Sequence, residues 1–170
     1  MKRSSVILIL LVLVSVISCQ RDDICPEKTD TTPLLIIRFH ENQDPFDLKA
    51  PQNLNVRELG NDSSYIYYRY SRDSIAIPLR TDQDVTELLF TVNAPDTSAT
   101  NPVPGITDTL RFSYGREQEY LNRACAYKVN FVGLNIELTD PASAENWIDD
   151  ITIEQPNVED EKQAHVSIFF

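Results

Sequence analysis

Leu110-Arg111-Phe112-Ser113-Tyr114 sets a large apolar side chain at every second position, with polar ones between. Successive side chains of an extended chain point to opposite faces, so Leu110, Phe112 and Tyr114 share one side and Arg111 and Ser113 the other. This is the pattern of a half-buried strand, and it recurs in both directions. Upstream, Leu88, Phe90 and Val92 alternate with Leu89, Thr91 and Asn93. Ile75, Ile77 and Leu79 alternate with Ser74, Ala76, Pro78 and Arg80, and Leu35, Ile37 and Phe39 with Ile36, Arg38 and His40. Downstream come Cys125, Tyr127, Val129 and Phe131, then Leu134, Ile136 and Leu138, then Ile151 and Ile153, and last Ala164, Val166, Ile168 and Phe170. Turn signals fall at Gly60-Asn61-Asp62, Arg72-Asp73, the loop from Asp96 to Gly105, and Gly133.

About eight to ten short strands of this kind predict an all-β chain. The simplest architecture is a single two-sheet antiparallel sandwich, immunoglobulin-like, with one short helix. The helix is expected after Asp140-Pro141, where Asp caps and Pro starts a turn, from Ala142 to about Asp149, with Trp147 packing it on the sheets. Pro78 cannot donate to a ladder, which places its strand at an edge or beside a bulge. An eight-stranded membrane barrel would suit the length, and the terminal Phe170 resembles a barrel-assembly signal. It would need an apolar outward face ~25 Å tall with aromatic girdles. The second face of these strands carries Arg, Thr, Ser and Asn instead.

The first nineteen residues have a different character. Lys2 and Arg3 precede the twelve residues Val6 to Ile17, apolar except for Ser15, and Ser18-Cys19 closes the run. A membrane span needs ~20 apolar residues, so this reads as the core of a signal peptide. Val16-Ile17-Ser18-Cys19 resembles a lipobox, with Val where Leu is usual at the first position. The resemblance implies that Cys19 carries a thioether-linked diacylglycerol and becomes the N-terminus. The expected division is residues 1–18 as a removed signal peptide, 19–33 as lipidated N-terminus and linker, and 34–170 as the sandwich. Gln20-Arg21-Asp22-Asp23 looks like the surface-export signal of Bacteroidota lipoproteins, with Arg where Lys is common. The expected location is the outer membrane, lipid-anchored and facing the cell surface, with the periplasmic face as the alternative.

Removal of 18 of the 170 residues leaves 152, enough for one domain with a sizeable core. Lys2 and Arg3 leave with the signal, so 13 basic residues stand against 26 acidic ones, a net charge of −13. Such a surface repels phosphate backbones and excludes nucleic acid as a partner. The expected contacts are the membrane, through the lipid, and a protein or glycan. Cys19 is consumed by lipidation, leaving Cys25 and Cys125 as an even pair in an oxidising setting. An intramolecular bridge is expected, against free thiols or pairing between molecules. It would leave only Gln20 to Ile24 free between lipid and sandwich, a reach of roughly 20 Å.

The chain resembles a family of small, uncharacterised lipoproteins of Bacteroidota bacteria, grouped as a domain of unknown function. The resemblance rests on Cys19-Gln-Arg-Asp-Asp-Ile-Cys25-Pro26, Leu35-Ile-Ile-Arg-Phe39, Asp73-Ser-Ile-Ala-Ile-Pro-Leu79, Arg123-Ala-Cys-Ala-Tyr-Lys128 and Ala164-His-Val-Ser-Ile-Phe-Phe170. It runs over nearly the whole mature chain and implies no activity.

Candidate chemistry is thin. His40 and His165 fall on strands near the two ends of the domain, and His40 precedes Glu41. Zinc wants three or four close ligands, so no metal and no cofactor are expected. Asp82-Gln-Asp84 and Glu159-Asp160-Glu161 lack the ligand run of a calcium loop and read as solvated hairpin ends. Asp149 and Asp150, beside Trp147, point to opposite faces of an extended chain and do not make an acid/base pair. No Gly-x-Ser-x-Gly elbow and no phosphate loop occur among only four glycines. The best binding candidate is the tyrosine cluster at 65, 67, 68 and 70. Alternation puts Tyr65 and Tyr67 on one face with Arg69, and Tyr68 and Tyr70 on the other with Ile66. Ordinary cross-strand tyrosine pairing is the plainer account. No catalytic residues are expected. The function that fits is a non-catalytic binding or scaffold module, ahead of a fimbria-like subunit assembled by strand addition or an envelope hydrolase.

Overall fold

The computed structural model describes residues 24–42, 47–96, 98, 103–139 and 146–170. The described residues form nine strands and no helix: β1 Leu35–His40, β2 Leu54–Glu58, β3 Tyr67–Tyr70, β4 Ser74–Ile77, β5 Val85–Val92, β6 Ile106–Asn122, β7 Ala126–Thr139, β8 Asp150–Ile153 and β9 Val166–Phe169. They make a β-sandwich of a four-stranded sheet, β4-β1-β9-β8, and a five-stranded sheet, β3-β2-β5-β6-β7. The predicted alternation is what closes it. In β5, Thr86, Leu88, Phe90 and Val92 point inward, and Leu110, Phe112 and Tyr114 do so in β6. From the smaller sheet Leu35, Ile37, Phe39, Ile77 and Ile168 meet them, all fully buried. Phe39, Phe90, Phe112 and Phe131 are completely enclosed, and burial of each such ring contributes ~1.5–3 kcal/mol. As Pro78 requires, β4 is an edge strand and stops at Ile77.

Three expectations are corrected. The sandwich is not antiparallel throughout, because β1 and β9 run parallel, with Ile37 opposite Val166 and Phe39 opposite Ile168. A parallel pair needs a long crossover, and here all the intervening strands supply it. The short helix is not seen. Residues 142–145 lie outside the described residues, while 146–149 are not helical. There the amides of Trp147 and Ile148 both donate to Asp108 Oδ2, at 3.0 and 2.8 Å, and the Trp147 indole N–H donates to the Phe90 carbonyl at 3.0 Å. Those bonds pull the segment onto the core, so that Trp147 and Ile148 are buried side by side. Trp147 thus has its expected packing role, against Phe39 and Phe170, without a helix.

The third correction concerns Gly133. It does not end a strand: the runs on either side of it are one strand, β7, and Gly133 sits in it at φ +63°. The register to β6 slips there, between Ser113 and Gly115 on the facing strand. A bulge admits one extra residue and needs this left-handed backbone, which glycine adopts without strain. The slip shifts the buried positions from Val129 and Phe131 to Leu134. Residues 156–158 cover this edge, with Phe131 and Val158 exchanging backbone bonds at 3.1 and 2.8 Å.

Past Ser113, where pairing with β5 ends, β6 pairs only with β7, and the two strands continue as a hairpin to a turn at 123–125. Cys125 in that turn is disulfide-bonded to Cys25, with Cα atoms 4.7 Å apart across 100 residues of sequence. The expected bridge is therefore present. Closing a loop of this length contributes ~4.7 kcal/mol in the chain-entropy account. The segment after Cys25 runs back along the hairpin, where Thr32 Oγ1 accepts from the Val129 amide at 3.0 Å, and then enters β1.

Candidate functional site

A cleft of about 460 Å³ opens beside β2, β3 and the stretch that follows β4. Its apolar floor is Ile66, Leu79 and Leu88, the ring of Tyr65 forms one wall, and Arg80 with Glu58 and Asp82 forms the rim. Arg80 is built in from both ends. Its amide donates to Thr86 Oγ1 at 2.9 Å and its carbonyl accepts from the Tyr114 hydroxyl at 3.0 Å. The two hydroxyls lie 2.6 Å apart, and since Tyr114 spends its proton on Arg80, Thr86 donates to Tyr114. This ring of three bonds grips the Arg80 backbone on both sides of its Cα, and burial pushes the Tyr114 phenol up from its ordinary pKa. At the other end the guanidinium forks onto Asp82, Nε to Oδ1 at 3.1 Å and a terminal nitrogen to Oδ2 at 2.8 Å, and its second arm reaches Glu58. These bonds hold Asp82 below the usual carboxylate range, the hydrogen bond from Arg80 being the main cause, and raise Arg80. The groups are one-third to two-thirds exposed, so the pairs add little stability; they orient the guanidinium.

Of the three residues expected to present a binding face together, only Tyr65 lines the cleft. Alternation fails here for two reasons: Tyr65 precedes β3 and is not part of its extended run, and β3 itself carries an extra residue between Tyr67 and Tyr70. Leu54 faces Tyr70 and Val56 faces Tyr67, two steps on β2 against three on β3, and Arg69 takes φ +48°. The rings accordingly pair three apart, Tyr65 with Tyr68 at 5.2 Å and Tyr67 with Tyr70 at 4.8 Å. Tyr67 turns inward and its hydroxyl donates to the Ala76 carbonyl at 2.9 Å and accepts from the Ala76 amide at 3.0 Å, tying β3 to β4 across the open edge. Arg69 reaches Asp96 at 3.2 Å. Ring pairing at the sheet edge thus accounts for Tyr67 and Tyr70, while Tyr65, paired with Tyr68, also forms a wall of the cleft.

Arg80 and Glu58 escaped the sequence reading. The Arg80-x-Asp82 spacing was a usable local signal, whereas Glu58 comes from another strand and carried none. The acidic pair Asp82 and Asp84 is not simply solvated, since Asp84 takes the Arg116 guanidinium at 2.6 Å. In the other acidic run Asp160 binds Lys162, which lowers its pKa, and Glu161 accepts from the Leu34 amide. His165 is buried with Nδ1 accepting from the Ile36 amide at 3.0 Å, and burial lowers its pKa. His40 stacks on Phe169. Among the described residues no three His, Cys, Asp or Glu side chains converge as metal ligands. Cys19 and Gln20, Arg21, Asp22 and Asp23 lie outside the described residues.

A family of unknown function (DUF6452) matches residues 53–170. The chain belongs to that family. The matched stretch starts just before β2 and so takes in the cleft and the hairpin, but neither β1 nor Cys25. No curated protein and no solved structure matches the chain.

Proposed function

We propose that this member of the family is a Bacteroidota outer-membrane lipoprotein, anchored through Cys19 and sent to the cell surface by Gln20-Arg21-Asp22-Asp23. Its sandwich, immunoglobulin-like in its layering though with a strand order of its own, is a non-catalytic module that binds a protein or glycan in the Tyr65 cleft. The observation that carries the binding reading is the pairing of an exposed ring with a guanidinium whose backbone and side chain are both held in place. A ring gives a stacking surface at low entropic cost, and a fixed polar rim orients what stacks. Arg80 is bonded to both rim carboxylates, and one guanidinium against two carboxylates leaves the rim net negative, so the arrangement disfavours an anion and suits a neutral polar ligand such as a saccharide. Both histidines belong to the smaller sheet and face other partners, which leaves the cleft without an imidazole base. Strand β9 lies between β1 and β8 in its own sheet, which favours a self-contained module over a subunit that donates its last strand.

A photo-crosslinking residue placed at position 65, in cells, tests the site. Expected is a discrete adduct from intact cells that is lost when Arg80→Ala is added. Adducts from a probe at Tyr70 but none from 65 would overturn the cleft assignment. The anchor is tested separately: a clickable fatty acid should label the wild type and not Cys19→Ala. Protease added to intact cells should digest the wild type, whereas Asp22→Ala with Asp23→Ala should leave it labelled and protected.

A further inference from the structure

We propose that the tip of the β6–β7 hairpin is a membrane-docking element, which lays Tyr120 and Tyr127 into the interface of the bilayer that holds the lipid. This rests on the lipidation of Cys19 proposed above. Three observations carry it. The first is covalent. Five residues separate Cys19 from Cys25, and the bridge to Cys125 in the hairpin turn adds 4.7 Å, so the turn lies within roughly 25 Å of the lipidated residue. The lipid therefore reels in this end of the sandwich and no other.

The second is the composition of the tip. Tyr120 and Tyr127 face each other across the two strands with rings 5.2 Å apart, yet they are 58% and 60% exposed. Ile24, next to the disulfide, is 73% exposed. Packing within the sandwich explains none of the three. Tyrosines with an apolar body and a polar hydroxyl are the residues that settle at headgroup depth. The third is charge. From Glu119 to Lys128 the charged residues are Glu119, Arg123 and Lys128, and Lys128 lies 3.1 Å from Glu119, so the turn residue Arg123 is the surplus charge there, in a mature chain of net charge −13. Lipid phosphates repel the molecule as a whole, and the hairpin tip does not add to that repulsion. One occupant satisfies all three conditions, a phospholipid surface.

The test uses the full chain, lipidated in a bacterial host and reconstituted in vesicles of phosphatidylethanolamine and phosphatidylglycerol with brominated acyl chains. Tyr127→Trp places a reporter at the tip and Tyr68→Trp places one on β3; wild-type emission from the buried Trp147 is subtracted. Faster migration on non-reducing gels verifies the disulfide in each variant. Expected is severalfold loss of the emission added at 127 and none of that added at 68. If the protein floats with the vesicles and the reporter at 127 is quenched no more than that at 68, the docking proposal is overturned while the anchor stands. If the protein does not float, the anchor fails and the docking proposal falls with it.

Discussion

The body of the sandwich and the tip of its longest hairpin are built from the same two strands, β6 and β7, yet different forces hold them. Between Thr109 and Ser113 strand β6 is flanked on both sides and sends Leu110 and Phe112 into a core shared by both sheets. Beyond Gly115 it has one neighbour, exposed tyrosines and a run of charged residues, and a disulfide does the work that burial does elsewhere. A hairpin with one partner strand and no buried face is marginal in water. Strand identity alone therefore says little about stability, and what covers each face decides it.

Mutation on the two sides of Gly115 should expose that asymmetry. Phe112→Ala removes a fully buried ring and should cost about 3–5 kcal/mol, read from the midpoint of denaturant unfolding. Tyr120→Ala on the same strand should cost no more than about 0.5 kcal/mol. Similar losses at the two sites would mean that the tip is part of the cooperative core.

Cutting the staple comes next. Cys25→Ser with Cys125→Ser should lower stability by about 2–5 kcal/mol. Hydrogen exchange should then rise most in residues 116–130 and least in β5. Uniform loss of protection would show that the bridge acts on the unfolded chain alone and that the hairpin holds itself together.

The smallest effect belongs to the opposite sheet. His165 has its pKa lowered by burial and accepts a hydrogen bond on Nδ1, so the folded state holds it neutral. Its contribution is complete above the ordinary imidazole value of about 6.5 and is lost as pH falls through and below it, with a slope of at most about 1.4 kcal/mol per pH unit. Thermal midpoints at pH 7.5 and 5 should differ more in wild type than in His165→Asn. Equal differences would assign the acid sensitivity to other groups.

The same contrast explains what could be read in advance. Alternation located the core wherever one face of a strand is buried, as in Leu88-Leu89-Phe90 and Leu110-Arg111-Phe112, because burial imposes the period. It was silent over Arg116 to Asn122, where neither face is buried, and it broke at Gly133 and Arg69, where an extra residue changes the parity. Cys25 and Cys125 were legible by count. The parallel contact of β1 with β9 left no local trace, since it joins positions about as far apart as the chain allows. In the cleft, Tyr65 stood out as one of a cluster, but its place before β3, which begins at Tyr67, did not. Arg80 gains its meaning from Thr86, Tyr114 and Glu58, three residues brought to it by the fold.

That pairing of β1 with β9 bears on the order in which the molecule comes into being. Strand β1 is among the first parts of the sandwich to be made, yet one of its two neighbours is the last strand, 129 residues later at the bond from Ile36 to His165. Until that strand arrives, Leu35, Ile37 and Phe39 have half a sheet to sit in. The larger sheet can assemble as the chain emerges, each strand meeting its neighbour within a short stretch, while the smaller one waits. Contacts of such separation also make folding slow. Closure of the smaller sheet thus waits on β9, and while β9 is missing the inward face of β1 is covered from one side only.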